Sequence, residues 1–316
     1  MRAVIWTMVL AFGCDRGHSR ENPSAPPTTP LPGSAASAAA PAPTGCTLAA
    51  IPARLPAPKR LVAIGDLHGD LAATRSALLA AGAIDKTDRW IGGELVVVQT
   101  GDILDRGDDE QAILDLMFAL EGEAKAAGGA LIMLLGNHEL MNGAGDFRYV
   151  TRGAMSDFDE VAKDRLTALA PGGIYAKKLA AHNVIAIVGD TVFSHAGVLA
   201  EWTTQIEAVN GSSRCWLDGQ RGGPREPPPA LTSEESPVWT RKFGLDPVDC
   251  AAVTPALAAM GVKRMVVGHT VQPAITSACD GAVWRIDVGL AKHYGGPIEV
   301  LELVPGAAPR VLRGTR

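Results

Sequence analysis

Five short stretches of the chain carry the residue types that do acid–base and metal chemistry, and each follows an apolar run. They are Gly65-Asp66-Leu67-His68-Gly69-Asp70, Gly101-Asp102-Ile103-Leu104-Asp105-Arg106-Gly107, Gly136-Asn137-His138-Glu139, Ser194-His195-Ala196-Gly197 and Gly268-His269-Thr270. Four of the seven histidines fall in these stretches, each beside a glycine or close to one. Glycine lets the backbone turn sharply and bring a short side chain up to an ion. A single Asp-x-His is more often surface polarity or a satisfied core contact, and an isolated His195 or His269 is more often structural than a ligand. Five separated loops supplying Asp, Asn and His together make an oxygen- and nitrogen-rich site suited to hard or borderline divalent metals. No CxxC pair offers a competing thiolate site.

The elements that must position these loops can be read from the apolar runs. Residues 61–64, 95–99 and 130–135 read as buried strands, with helices over 71–81 and 109–127 between them. Later runs at 184–188, 191–194, 263–267, 283–287 and 298–303 read as the strands of a second sheet. Continuous rather than alternating apolar residues mean strands covered on both faces, so the architecture is α/β with sheets packed inside helices. Ligands in open α/β sheets bind in crevices at the carboxyl ends of strands, where these loops fall. Two stretches interrupt the pattern. Residues 142–182 contain a charged helical segment at 157–169, and 200–248 are rich in Gly, Pro and polar residues. Both are expected to form a lid or walls over the site, with surface decoration as the alternative.

The chain has 316 residues, 47% hydrophobic, with a formal net charge of -5. There is no basic footprint, so nucleic acid is not the expected partner. A small phosphorylated ligand stays open, because a metal site brings its own positive charge. Trp202, Trp216 and Trp284 read as packing residues rather than a base-stacking platform. Asp108, Asp109 and Glu110 read as the acidic start of the second helix, and His182 as structural.

The N-terminal region has a different character. Residues 1–14 fit a secretory signal, with an apolar run too short to span a bilayer. The run ends at Leu10-Ala11-Phe12-Gly13-Cys14, which resembles a bacterial lipoprotein processing site with Cys14 as the lipid-bearing residue. Residues 15–58 are rich in Pro, Ala, Ser, Thr and Gly and are expected to be a disordered linker, leaving 59–316 as the folded domain. This predicts an exported lipoprotein, periplasmic or at the cell surface, which meets the membrane only through its lipid; a cytoplasmic protein with a floppy start is the alternative. In an oxidising compartment Cys215, Cys250 and Cys279 could supply a disulfide, with no pairing assigned. With Cys46, four cysteines in a domain this size do not read as a disulfide framework.

The ordered set of GDxHG, GDxxDRG, GNHE, HxG and GH elements resembles the phosphoprotein phosphatase branch of the calcineurin-like metallophosphoesterases. Trp90-Ile91-Gly92-Gly93, Asp105 to Glu110, Gly136 to Asn142 followed by Gly145-Asp146-Phe147-Arg148-Tyr149-Val150, and Val238-Trp239-Thr240-Arg241 narrow the likeness to the Shewanella-like protein phosphatases, over roughly residues 60–303. That resemblance implies a four-layer sandwich, two central mixed sheets flanked by helices, with lid-like insertions. It implies two divalent metals, manganese first with iron or zinc as alternatives. Asp66, His68 and Asp102 would hold one, and Asp102, Asn137, His195 and His269 the other, with Asp102 bridging cations about 3.5–4 Å apart. A hydroxide shared by the metals would attack phosphorus in line. His138 would protonate the leaving oxygen, oriented by Asp105, while Arg106 and Arg241 would clamp the phosphoryl oxygens. Arg148 is a further candidate for the clamp, with an ion pair to Asp146 or Asp157 as the alternative. Tyr294 is a candidate for the site wall, and His293 reads as an exposed loop histidine.

The implied activity is a phosphomonoesterase acting on phosphorylated protein or peptide, at phosphotyrosine and/or phosphoserine and phosphothreonine. A dinucleoside polyphosphate hydrolase and a non-catalytic tethered phosphate-binding protein are the competing readings. The intact His138–Asp105 pair speaks against the latter, because binding alone needs no general acid.

Overall fold

The computed structural model describes residues 46–219, 227–228 and 232–316. Two sheets form within them. The five-stranded sheet runs β11 (Arg310–Arg313), β10 (Glu299–Leu303), β2 (Leu61–Ile64), β3 (Val96–Gln99) and β4 (Ala130–Met133). Its β2, β3 and β4 are parallel, with Val62 opposite Val97 and Val97 opposite Leu131. The six-stranded sheet runs β1 (Arg54–Leu55), β5 (Ile185–Val188), β6 (Thr191–Ser194), β7 (Arg264–Val267), β9 (Val283–Arg285) and β8 (Thr276–Ala278). An isolated parallel bridge from Leu134 to Asn183 links the two sheets just ahead of Gly136.

Helix α1 (Leu71–Ala81) starts where Asp70 accepts the Ala73 N–H and stops at Gly82, whose left-handed backbone returns its N–H to Leu78 and Leu79. In α2 (Glu110–Ala126) the buried residues Ile113, Leu114, Met117, Leu120 and Ala124 form one stripe at helical spacing, packed on β4 and α1. Each large apolar side chain buried there contributes about 1.5–3 kcal/mol. These elements hold the strand ends rigidly, which a site built on loops requires.

Three expectations need correction. The run at 298–303 belongs to the first sheet, not the second. As β10 it lies antiparallel to β2, with Leu301 opposite Ala63. Its five residues are all buried, and an apolar run does not encode which open sheet edge it will fill. Its two carboxylates are met by arginines of the same sheet region, Glu302 by Arg60 at 2.7 Å and Glu299 by Arg313 at 3.0 Å.

The charged stretch 157–169 is not one helix. A 3-10 turn at Ala154–Ser156 precedes α4 (Arg165–Leu169), and α5 (Ile174–Leu179) follows. Asp157 accepts the Gln111 N–H at 2.6 Å and Asp164 the Thr167 N–H at 2.7 Å. Such side-chain bonds to backbone compete with a continuous helix.

The expected linker extends too far toward the domain. Residues 54–55 form β1, parallel to β5, and the Ala53 carbonyl accepts the Ile187 N–H at 2.6 Å. A disulfide joins Cys46 to Cys215 in α6 (Ile206–Leu217), and a second joins Cys250, at the start of α7 (Cys250–Met260), to Cys279. All four of these cysteines are therefore paired, where sequence reading left at most one bridge unassigned. The signal segment, Cys14 and the remainder of the linker through residue 45 lie outside the described residues. No helix among the described residues is long and apolar enough to cross a membrane.

Candidate active site and metal centre

The five motif loops leave the ends of β2, β3, β4, β6 and β7 and meet between the two sheets. Their backbones are unusual. Among the described residues eight non-glycine positions have positive φ, and five of them are His68, Asp102, Asp105, Arg106 and His269. Each such conformation costs about 1–3 kcal/mol and persists only where its surroundings impose it, so this clustering marks a site where geometry outranks local stability. Glu139 supplies much of the constraint. Its buried carboxylate accepts the N–H groups of Asp102 (2.9 Å), Ile103 (2.8 Å), Leu104 (3.2 Å) and Gly136 (2.7 Å). Space is equally tight, because a β-carbon at Gly136 would overlap the Asp102 carboxylate and one at Gly268 the Asp66 carboxylate.

Six side chains converge here, all buried: Asp66, His68, Asp102, Asn137, His195 and His269. The His195 Nε2 atom lies 2.8 Å from Asn137 Oδ1, 3.1 Å from His269 Nδ1 and 3.2 Å from Asp102 Oδ2. His195 Nδ1 sits 3.0 Å from the Thr100 carbonyl. A carbonyl only accepts, so Nδ1 carries a proton and Nε2 is the ring atom turned toward the cluster. The same holds for His68, whose Nδ1 is 3.0 Å from the Leu104 carbonyl while Nε2 faces Asp66 and Asp102 at 4.0 and 3.8 Å. Lone pairs on oxygen and nitrogen thus point at one another across two adjacent clusters that share Asp102. Buried acceptors gathered this way repel unless a cation sits among them. The donor set fits two hard or borderline divalent metals.

The electrostatics of two of the histidine rings agree with that fit. Burial pushes the His68 imidazole down to about 4, assisted by His138, and pushes His269 well below its ordinary value, assisted by His195. Both are held neutral, the form that ligates. Burial drives the Asp66 carboxyl well above the usual range, and Asp287 and Asp102 push it the same way. Burial also acts to raise Asp102, but the surrounding rings of His195 and His138 outweigh it and hold that carboxyl well below the usual range.

His138 lies with His68 and Asp102 in one of the two clusters, but one of its ring nitrogens is taken by Asp105. Its Nδ1 lies 2.5 Å from Asp105 Oδ2, and its Nε2 faces Asp102 Oδ2 at 3.7 Å. Burial opposes its charged form, yet Asp102 and Asp105 prevail and raise its pKa. Arg106 lies 4.1 Å over the Tyr149 ring, and its Nε is buried without a hydrogen-bond partner. Arg241 reaches the Thr270 hydroxyl at 3.3 Å, beside His269. Arg148 is spent on Asp146 at 2.7 Å on the surface. The Tyr149 ring stands 5.2 Å from His138 and the Tyr294 ring 5.4 Å from His68. His293 is exposed, packed only on Tyr294 among the ring contacts.

The family profile for calcineurin-like phosphoesterases matches residues 59–273. Shewanella-like protein phosphatase 2 of Arabidopsis thaliana is 40% identical over 308 aligned residues, spanning 82% of this chain and 78% of the relative. The chain is a Shewanella-like protein phosphatase. Shewanella-like protein phosphatase 1 of Plasmodium berghei is 28% identical, covering 75% of this chain and 69% of its own. Among solved structures, a cold-active protein-tyrosine phosphatase of a psychrophilic Shewanella superimposes with a TM-score of 0.72 at 26% identity, covering 84% of this chain and 83% of that one.

In this Shewanella-like phosphatase three buried charged residues matter that sequence reading left without a role at the site. Glu139 stands in the Gly136-Asn137-His138-Glu139 stretch, which was its only signal, and its four backbone partners come from folding. Asp287 follows a strand just as the ligand loops do, ahead of Gly289, and that repeated pattern was the available signal. Its carboxylate accepts the Gly289 N–H at 2.9 Å, and burial raises it to about 6 beside Asp66. Arg165 gave no signal at all. Glu110 does start α2, but it is fully buried and accepts the Asp105 N–H at 2.5 Å, so its role exceeds that of a helix-dipole partner.

Proposed function

We propose that the chain is a metal-dependent phosphomonoesterase acting on protein phosphate. The observation that carries this is the shared cluster of buried oxygen and nitrogen ligand atoms around Asp102 with the His138–Asp105 pair beside it. In this reading Asp66, His68 and Asp102 hold one metal, and Asp102, Asn137, His195 and His269 the other. When bound, the pair supplies an activated water and neutralises charge on the phosphoryl oxygens. Manganese is the proposed native metal, with iron or zinc compatible with the same donors.

The chain's own residues do the rest. Arg106 and Arg241 bind the non-bridging phosphoryl oxygens, since a guanidinium offers two parallel donors to such an anion. Asp105 accepts the proton-bearing Nδ1 of His138 and so fixes the ring. The other nitrogen, Nε2, then faces the centre and carries the proton delivered to the departing alkoxide or phenoxide. The Tyr149 and Tyr294 rings flank His138 and His68, a setting that accommodates the aromatic ring of phosphotyrosine, the substrate class named for the Shewanella structure.

A dinucleoside polyphosphate would need a longer basic groove for several phosphates and a nucleobase. With Arg148 committed to Asp146, two arginines remain, which suits one phosphoryl group. Mn-loaded protein is therefore expected to prefer phosphopeptides to diadenosine tetraphosphate by at least about tenfold in kcat/KM, or ~1.4 kcal/mol of transition-state binding. A competition assay at matched ionic strength measures this, and preference for the dinucleotide would overturn the protein-phosphate reading while leaving the metal site standing.

Export with lipid anchoring at Cys14 belongs to the same proposal. The Cys46–Cys215 and Cys250–Cys279 disulfides support it, because such bridges persist outside reducing cytoplasm. Mass spectrometry of the native protein should find a chain beginning at lipid-modified Cys14. Recovery of an intact Met1 start in the soluble cytoplasmic fraction would end that proposal.

A further inference from the structure

We infer that Arg165, carried by the 142–182 insertion, is a positioning residue for the acid–base pair, holding the Asp105 carboxylate so that one oxygen is presented to His138. The inference rests on His138 being the leaving-group acid. Arg165 is 1% exposed, and its fork is almost fully spent. Its Nε donates to Asn142 Oδ1 at 2.8 Å, Nη2 to Asp105 Oδ1 at 3.3 Å and Nη1 to the Ala154 carbonyl at 3.0 Å. The same Nη1 forms a close ion pair with Glu110.

These contacts close a ring around Asp105. Asn142 Nδ2 donates to Asp105 Oδ1 at 3.0 Å and to the His138 carbonyl at 2.9 Å, while Glu110 accepts the Asp105 N–H at 2.5 Å. With Oδ1 engaged by two donors, the carboxylate cannot rotate, and Oδ2 remains for the His138 Nδ1. The Phe147 and Phe158 rings stand 5.7 and 5.4 Å from the guanidinium carbon. A merely structural buried ion pair is weak evidence for stability and is often replaceable by apolar side chains. Here two of the four groups that Arg165 meets, Asp105 and Asn142, also touch His138. The insertion therefore buttresses the acid from beneath, whatever else it covers.

The distinguishing readout is leaving-group dependence, since an unpositioned acid matters most where the leaving oxygen needs a proton. Arg165→Met, Arg165→Lys, Asn142→Leu and His138→Ala would be compared on phenyl phosphate and 2,4-dinitrophenyl phosphate, with metal content, KM and melting temperature measured for each. Arg165→Met should keep its metals and a KM within a few-fold of the parent. Its kcat on phenyl phosphate should fall on the order of tenfold to a hundredfold more than on the activated ester. Arg165→Lys should show the same selective loss, because one ammonium cannot reproduce the fork. Arg165→Lys decides the matter if Arg165→Met does not fold, and Asn142→Leu, which removes the other Oδ1 donor together with the Arg165 Nε partner, should show the same selective loss. Equal loss on both esters, or loss of metal, in the variants that fold would overturn the inference. If His138→Ala alone is selective, the acid stands and the positioning role falls. If His138→Ala also loses evenly, both fall.

Discussion

Asp102→Asn is expected to leave a folded protein that has lost most of its metal and at least about 10³-fold in kcat, equivalent to ~4 kcal/mol. Folding should survive because Asn is among the few residues that tolerate the left-handed backbone this position adopts, with φ at 58°. The amide can also keep the bond in which Asp102 Oδ1 accepts the His138 N–H at 3.0 Å. What it cannot keep is the negative charge on Oδ2, which faces His195 at 3.2 Å, His138 at 3.7 Å and His68 at 3.8 Å. That oxygen is the atom common to both ligand clusters, so its neutralisation weakens both at once. Metal analysis of the purified variant, paired with turnover at saturating manganese, tests the point. Retention of two metals per chain with near-parent turnover would mean Asp102 does not bridge.

His138→Ala is the second large effect, and its signature is selectivity rather than loss alone. A poor leaving group such as the serine alkoxide should lose about 10²–10⁴-fold in kcat, while an activated aryl phosphate should lose far less. The ring's Nδ1 is committed to Asp105, so only Nε2 can serve the substrate, and alanine removes it without removing a ligand atom of either cluster as assigned. Metal content should therefore remain at the parent level. A uniform loss across a leaving-group series, or metal loss in parallel, would assign His138 to the metal centre instead of the leaving group.

Most of the ligand set was legible because it is written locally. A buried strand followed by Gly-Asp or Gly-Asn-His carries its own turn, and the residue at the turn must point outward from the strand end. Asp66, His68, Asp102, Asn137, His195 and His269 stand in loops that local pattern picks out, while their assignment as ligands rests on the family resemblance; all six are buried. Helix α1 was legible for the same reason, since Asp70 and Gly82 set its ends within the segment itself.

Other features depend on partners far along the chain, and short-range pattern does not encode them. The run 299–303 reads as a strand from its own residues, but its place beside β2 depends on which sheet edge is open when the chain arrives. Cys46 meets Cys215 across 169 residues, and Arg54-Leu55 become a strand only because β5 offers an edge. Arg165 carries no local signal within its charged stretch, and only folding buries it against Asp105, Glu110 and Asn142. Which polar residues stand at the strand ends is legible in the chain, because turn chemistry there is local. What holds them in place is legible only after folding, because a buried charge takes its partners from wherever the fold brings them within reach.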